Sequence, residues 1–386
     1  MFEPSYTAAL ARLNAFVPRA GRDYASLRNY DDQAHVSTLS PYLRHRIVTE
    51  EDVLQATLAR HSPQAAEKFI QEVYWRTYWK GWLEMRPGVW AMYRADLQAA
   101  LNRVQTESGL RQDWEAACKG ETGIACFDHW ARQLAETGYL HNHARMWFAS
   151  IWIFTLRLPW VLGADFFMRH LLDGDPASNT LSWRWVGGLQ TTGKTYLARP
   201  DNIAKYTQGR FHPTGLATVA APPEGMPHPA RGPVPVSGRI DSSLRTGLLI
   251  TEEDLSPGWL LDQVQPLATA RLQATHRRSP LTVSLQVTDF VRAGMADCAS
   301  RFSDRLGPVT EVTPESLVDW AQTHGLQQIV TSYLPTGPTR DALDGVNLVQ
   351  RIRPYDSAAW PHATHGFFRF KEKIPHLLAQ IGNWPA

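Results

Sequence analysis

Cysteine is scarce in this chain: Cys118, Cys126 and Cys298 are spread over 386 positions. They form no CxxC pair and cannot supply four cluster ligands, which excludes a thiolate metal or redox centre and fits a reducing cytoplasm. Long apolar runs are missing too. The stretch Met146–Leu158 is shorter than a bilayer requires and contains Arg157, so no membrane span is expected. Met1–Arg12 holds no apolar segment of a secretory signal. A soluble, cytoplasmic monomer is the expectation. Net charge is only +2, too small to mark a nucleic-acid binder by bulk charge, yet compatible with a local basic groove. Period-two alternation is nearly absent before residue 215, which argues against an N-terminal sheet.

Tryptophan is what the chain has in excess. Of 15 residues, 11 lie in the first 185, so the unusual chemistry belongs to the N-terminal half. Tyr139–Phe211 sets Trp147, Trp152, Trp160, Trp183 and Trp185 beside Asn142, Arg145, Asp173, Asp175 and Asn179. Each buried indole N–H wants a partner. The mixture suggests a pocket for a large, flat, polar-edged ligand, and a relay for electrons.

Helical spacing is expected over Ser62–Arg86, where Ser62 suits a cap and Pro63 a first turn. Further helices are expected over Phe127–Gly138, Leu140–Leu156 and Asp165–Leu172. Six prolines between Pro222 and Pro235 mark an extended linker. After it, Gly247–Thr251, Leu326–Thr331 and Val346–Arg351 read as short strands, with helices over Val287–Arg305 and Pro314–His324 between them. The expected architecture is a mostly α N-terminal unit, residues 1–218, a Pro-rich linker, 219–241, and a smaller α/β unit with a Rossmann-like parallel sheet, 242–386.

Three clusters carry candidate chemistry. Glu72, Trp75, Arg76 and Trp79 share one helical face. They make either a surface ion pair beside two core indoles or a cavity wall with an anion, a cation for phosphate and an aromatic platform for a base. Asn142, Arg145 and Met146 share a second face, and Arg145 can pair with Asp173. Asp173-Gly174-Asp175 with Asn179 is either a capped helix start or a set of acceptors aimed at a heterocycle edge. The spacing of His141 and His143 puts them on different helical faces and argues against a metal.

These fragments occur in an order that resembles the flavin-binding helical domain of the DNA photolyase and cryptochrome family over roughly residues 20–215. The fragments are Tyr24, RNYDD and STLSPYL from Ser37; FIQEVYWRTYW from Phe69; GETGIACFDHWARQLAETGYLHNHARM from Gly120; and LLDGDPASNTLSWRW from Leu171. The resemblance implies non-covalent FAD held by Tyr24, Ser37, Thr38, Leu39, Ser40, Phe69, Arg76, Arg145, Asp173, Asp175 and Asn179. Backbone N–H groups at a helix start would suit the pyrophosphate near Ser37–Ser40. It implies a lesion mouth lined by Glu72, Trp75, Asn142, Met146, Trp185 and Arg199, with DNA containing pyrimidine dimers as partner and base flipping as the means of access. Asn142 and Met146 match the cyclobutane-dimer branch, since the (6-4) branch carries histidines there. The implied activity is blue-light-driven dimer repair, with Glu72, Asn142, Asn179, Trp183 and Trp160 acting in it; the alternative is a cryptochrome-like photoreceptor without repair.

The chain also departs from the pattern. Ala117 stands where the family's third relay tryptophan falls, with Trp114 one turn earlier. Tyr196 is displaced by one residue in the loop after Trp185. An α/β segment comes after the helical domain instead of preceding it, and Arg351–Pro375 faintly resembles the exit of the family's antenna domain. A circular permutation would explain both facts and puts Ala386 and Met1 on the same side; the alternative is an unrelated α/β domain appended by fusion. Whether an antenna dye binds, and which, stays open.

Overall fold

The computed structural model describes residues 2–191, 193–225 and 227–381; Met1 and Ala386, whose proximity a permutation requires, lie outside them. Twelve α-helices build the N-terminal half among the described residues: α1 Tyr6–Phe16, α2 Arg22–Leu27, α3 Ser40–Arg44, α4 Glu50–Leu58, α5 Glu67–Glu84, α6 Gly88–Thr106, α7 Ser108–Lys119, α8 Ala125–Thr137, α9 Asn142–Ser150, α10 Trp160–His170, α11 Pro176–Val186 and α12 Pro200–Tyr206. Apolar periodicity accounts for most of them, and local chemistry for their ends. Thr49 and Asp52 form a reciprocal capping box on α4. Gly138 ends α8 with φ +68°, and a Cβ there would meet Leu172 Cγ at 2.7 Å, so only glycine fits.

Two helix expectations need correcting. Ser62 accepts from Ala65 N, but it caps a turn, and α5 begins five residues later at Glu67. The span 140–156 is not one α-helix: α9 gives way to a π-helical turn over Ile151–Thr155. There the Trp152 indole donates to the Pro159 carbonyl at 3.0 Å, anchoring the wider turn.

After α12 the described residues form no regular element until residue 245. It lies over the helices as a strap, with Gly232 N donating to Met85 O and Gly238 N to Gln350 O. The sheet comes next: β1 Thr246–Thr251, β2 Ala268–Leu272, β3 Val309–Glu311, β4 Gln328–Ser332 and β5 Val349–Arg351. All pairs are parallel, in the order β3-β2-β1-β4-β5. Strand order therefore reverses between β1 and β4, where open α/β sheets leave a crevice at the carboxyl ends of the strands.

That crevice is filled from the helical half. Arg44, His45 and Arg46 are consecutive at the end of α3, opposite Glu252, Glu253 and Asp254 just past β1. Arg44 donates to both Glu253 oxygens at 2.6 and 3.1 Å. His45 Nδ1 lies 2.7 Å from the Glu252 carbonyl, and Arg353 donates to both Asp254 oxygens at 2.7 and 2.9 Å. Such buried pairs contribute more to the register of two bodies than to net stability.

The chain then returns to α5. Pro354–Ala359, Phe367–Lys371 and Ile374–Gln380 bring the Tyr355 hydroxyl within 2.8 Å of Thr77 Oγ and Trp360 against Gly81. One apolar core consequently runs through both halves. A smaller cluster of Leu249, Ala270, Leu317 and Trp320 sits on the sheet's other face.

Candidate functional site

Helices α5, α9 and α11 bring the three clusters of the sequence together. Asp175 is the N-cap of α11: its Oδ1 accepts from Ser178 N at 2.7 Å. Its Oδ2 faces Arg76 on α5 at 3.4 Å and Arg44 at 3.8 Å. One carboxylate thus serves both as helix cap and as part of a charged cluster. Burial would raise its pKa, but Arg76, Arg44 and Lys80 hold it well below the ordinary carboxylate range. Lys80 is itself buried, and burial, with Arg46 nearby, pulls its pKa down.

Arg145 on α9 is fixed from two sides. Its Nε donates to Leu140 O and its Nη2 to Asp173 Oδ2, both at 2.8 Å. Asn179 on α11 donates through Nδ2 to Ala164 O at 2.8 Å, which leaves its amide oxygen available as an acceptor. Asp173, Asp175 and Asn179 are buried. Several polar atoms around them have no hydrogen-bond partner among the described residues: Arg76 Nε, Asp173 Oδ1, Ser178 Oγ and His141 Nε2. Leaving such atoms unpaired costs about 1–3 kcal/mol each. A large ligand with polar edges would satisfy them, so the donor and acceptor set fits a flavin dinucleotide.

The residues nearer the chain start divide. Tyr24 is buried edge-on against Phe16 and Phe69, and burial raises its phenol pKa. Leu39 is fully buried. Ser37 and Thr38 already have internal partners: Ser37 Oγ accepts from Leu39 N at 3.3 Å and Thr38 Oγ from Arg12 at 2.6 Å. Ser40 opens α3.

Glu72, Trp75, Met146 and Trp185 are half-buried, and Asn142 and Arg199 exposed. Glu72 forms an ion pair with Arg28. Trp185 stacks on Tyr196 at 5.9 Å. Trp75 stacks on Phe367 from the C-terminal segment, with ring centroids 3.6 Å apart and planes 12° apart, so one indole face is covered. Arg199 lies near Asp201, its nearest charge partner, at 3.7 Å. Trp160 opens α10, and Trp183 is buried on α11. Trp114 makes no ring contact among the described residues, and its N–H is unpaired.

Four cations of this site were not legible in the sequence: Arg12, Arg28, Arg44 and Lys80. Each meets its charged or hydroxyl neighbours from a distant segment, and no local spacing signals such a meeting.

Residues 69–215 match the family model described as the FAD binding domain of DNA photolyase. A deoxyribodipyrimidine photo-lyase of Synechococcus sp. is 32% identical over 198 residues, covering 47% of this chain and 38% of the relative. One from Thermus thermophilus is 34% identical over 201 residues, covering 50% and 45%. The chain thus spans less than half the length of these relatives. The crystal structure of a class III photolyase from Agrobacterium tumefaciens aligns with TM-score 0.47 at 29% identity, over 54% of this chain and 44% of that one. Residues 69–215, within the helical half, thus carry an FAD-binding domain of the DNA photolyase type.

Proposed function

We propose that the protein binds FAD non-covalently and uses it under blue light to split cyclobutane pyrimidine dimers in DNA. The observation that carries this reading is how burial sorts the site. Asp173, Asp175 and Asn179 form a buried polar set, with unpaired atoms on Asp173 and on the neighbouring Arg76, whose side chain is 11% exposed, while Glu72, Trp75, Asn142, Met146 and Trp185 stand partly or fully open beside it. When bound, a reduced flavin supplies the photoexcited electron. The chain supplies the rest. Arg145, held by Asp173 and Leu140 O, places a fixed cation at the flavin site. Asn179 offers an amide oxygen as acceptor. Arg28 orients Glu72 as an acceptor toward a flipped pyrimidine pair. Trp75 and Trp185 provide apolar walls against which flipped bases can stack.

Residues 242–386 are proposed to be an antenna-like domain attached after the helical one by circular permutation. The all-parallel sheet and the return of residues 354–380 onto α5 support this. Among the described residues no helix is long and apolar enough to cross a membrane.

A second reading, a flavin-binding light sensor without repair, is favoured by the Trp75–Phe367 stack. If a base needs the face that Phe367 covers, the lesion platform is closed. One experiment separates the two. Protein loaded with FAD and chemically reduced is mixed with dimer-containing single- and double-stranded DNA, then illuminated or kept dark. Light-dependent loss of dimers supports repair; no loss on either DNA refutes it and leaves the sensor.

A further inference from the structure

We infer that Tyr93 and Trp90 form the outer leg of an electron relay that begins at Trp183 and passes through Trp160. The inference rests on the flavin reading above. A Cβ on Gly163 would lie 2.3 Å from Trp183 Cη2, so the Trp183 ring lies directly on α10 one turn from Trp160, on the face those two positions share. The Trp160 ring is 5.8 Å from Tyr93, with planes 40° apart. Tyr93 is in turn 5.2 Å from Trp90, at 33°. All four rings are buried. At the outer end the Trp90 indole N–H donates to Asp341 Oδ2 at 3.0 Å, and the Asp341 side chain is 35% exposed. The ladder thus reaches a carboxylate in contact with water, whereas position 117 offers only alanine and Trp114 has no ring neighbour among the described residues.

Trp90 is the ring of the ladder with a proton path, through its N–H bond to Asp341, and the Tyr93 ring stands between it and Trp160. With photoexcited oxidised flavin bound, Trp183 would give up an electron and be refilled from Trp160. The electron that refills Trp160 would come from Trp90 across the Tyr93 ring, which keeps its phenolic proton. The oxidised Trp90 would pass its N–H proton to Asp341 Oδ2, leaving a neutral radical. A soluble thiol would restore the electron and proton of Trp90.

FAD-loaded protein is flashed with blue light, with radicals identified by transient absorption and EPR. Trp90→Phe and Tyr93→Leu should each lower the yield of long-lived flavin photoreduction at least tenfold, Trp114→Phe should leave it unchanged, and Asp341→Asn should lower the yield of the neutral Trp90 radical. Tyr93→Phe removes only a hydroxyl with no partner among the described residues, keeps the ring, and should retain most of the yield, which separates loss of the ring from loss of the fold. Unchanged yield in Trp90→Phe and Tyr93→Leu, or loss in Trp114→Phe, overturns the relay. Chemically reduced wild type that repairs no dimers refutes repair while leaving the radical readout intact. A protein that takes up no flavin overturns both, since the relay then has no acceptor.

Discussion

Arg44→Met tests whether the α/β half is tied to the flavin site through charge. Arg44 is buried and holds both oxygens of Glu253, donates to Gly174 O at 2.9 Å, and lies 3.8 Å from Asp175. Methionine keeps much of the packing and leaves Glu253 with no cation bonded to it. Breaking a buried pair from one side costs roughly 3–5 kcal/mol. Burial pushes the Glu253 pKa up, yet Arg44, joined by Lys80 and the Thr339 hydroxyl, outweighs this and holds it at about 2, against an ordinary 4.5. At about 1.4 kcal/mol per pH unit this corresponds to about 3 kcal/mol. Because the folded value lies below the unfolded one, this contribution is complete above about pH 4.5 and is lost as pH falls toward about 2. Urea unfolding of both proteins at pH 7 and pH 3 reads it. The variant should be about 3 kcal/mol less stable at pH 7, and the gap should narrow at pH 3. A loss below about 1 kcal/mol at pH 7, or a gap that does not change with pH, would refute the reasoning.

Three further outcomes are expected. Burial holds His141 and His170 at about 4, against an ordinary 6.5. Stability should therefore be full above about pH 6.5 and fall as pH drops toward 4, as read by thermal melting across that range. In Gly163→Ala the new Cβ would overlap Trp183 Cη2 at 2.3 Å and crowd Trp152 at 2.9 Å; overpacking of this kind costs about 1–3 kcal/mol and should change Trp183 fluorescence. Asp128 accepts from Thr122 N, Thr122 Oγ and Gly123 N at 2.7–2.9 Å. Asp128→Ala leaves those donors unpaired and should cost about 1–3 kcal/mol in chemical unfolding, whereas Asp128→Asn should cost less.

Helices with a clear apolar stripe were legible in the sequence. Phe69 and Val73 announce α5, and the Gly138 stop of α8 can be read directly from the chain. The π turn at Ile151–Thr155 was not, because its hydrogen-bond pattern changes without any change in hydrophobic period. Strands β1 and β4 stand out as apolar runs. Strands β2, ATARL, and β3, VTE, do not: they are short, carry Arg271 and Glu311, and exist as strands because β1 and β2 offer them parallel partners.

By itself the sequence determined the mostly helical N-terminal half, the Pro-rich connection, the α/β character of the C-terminal part, and the ordered fragments that mark a flavin-binding domain. These are local properties, set by periodicity, turn residues and short spacings. Only the tertiary structure decided that Arg44-His45-Arg46 fills the sheet's crevice, that Phe367 covers one face of Trp75, and that Tyr93 and Trp90 extend the rings of Trp160. Each of these joins residues between 67 and 292 positions apart. Such meetings depend on how whole helices and strands pack, and nothing in the neighbouring sequence encodes them.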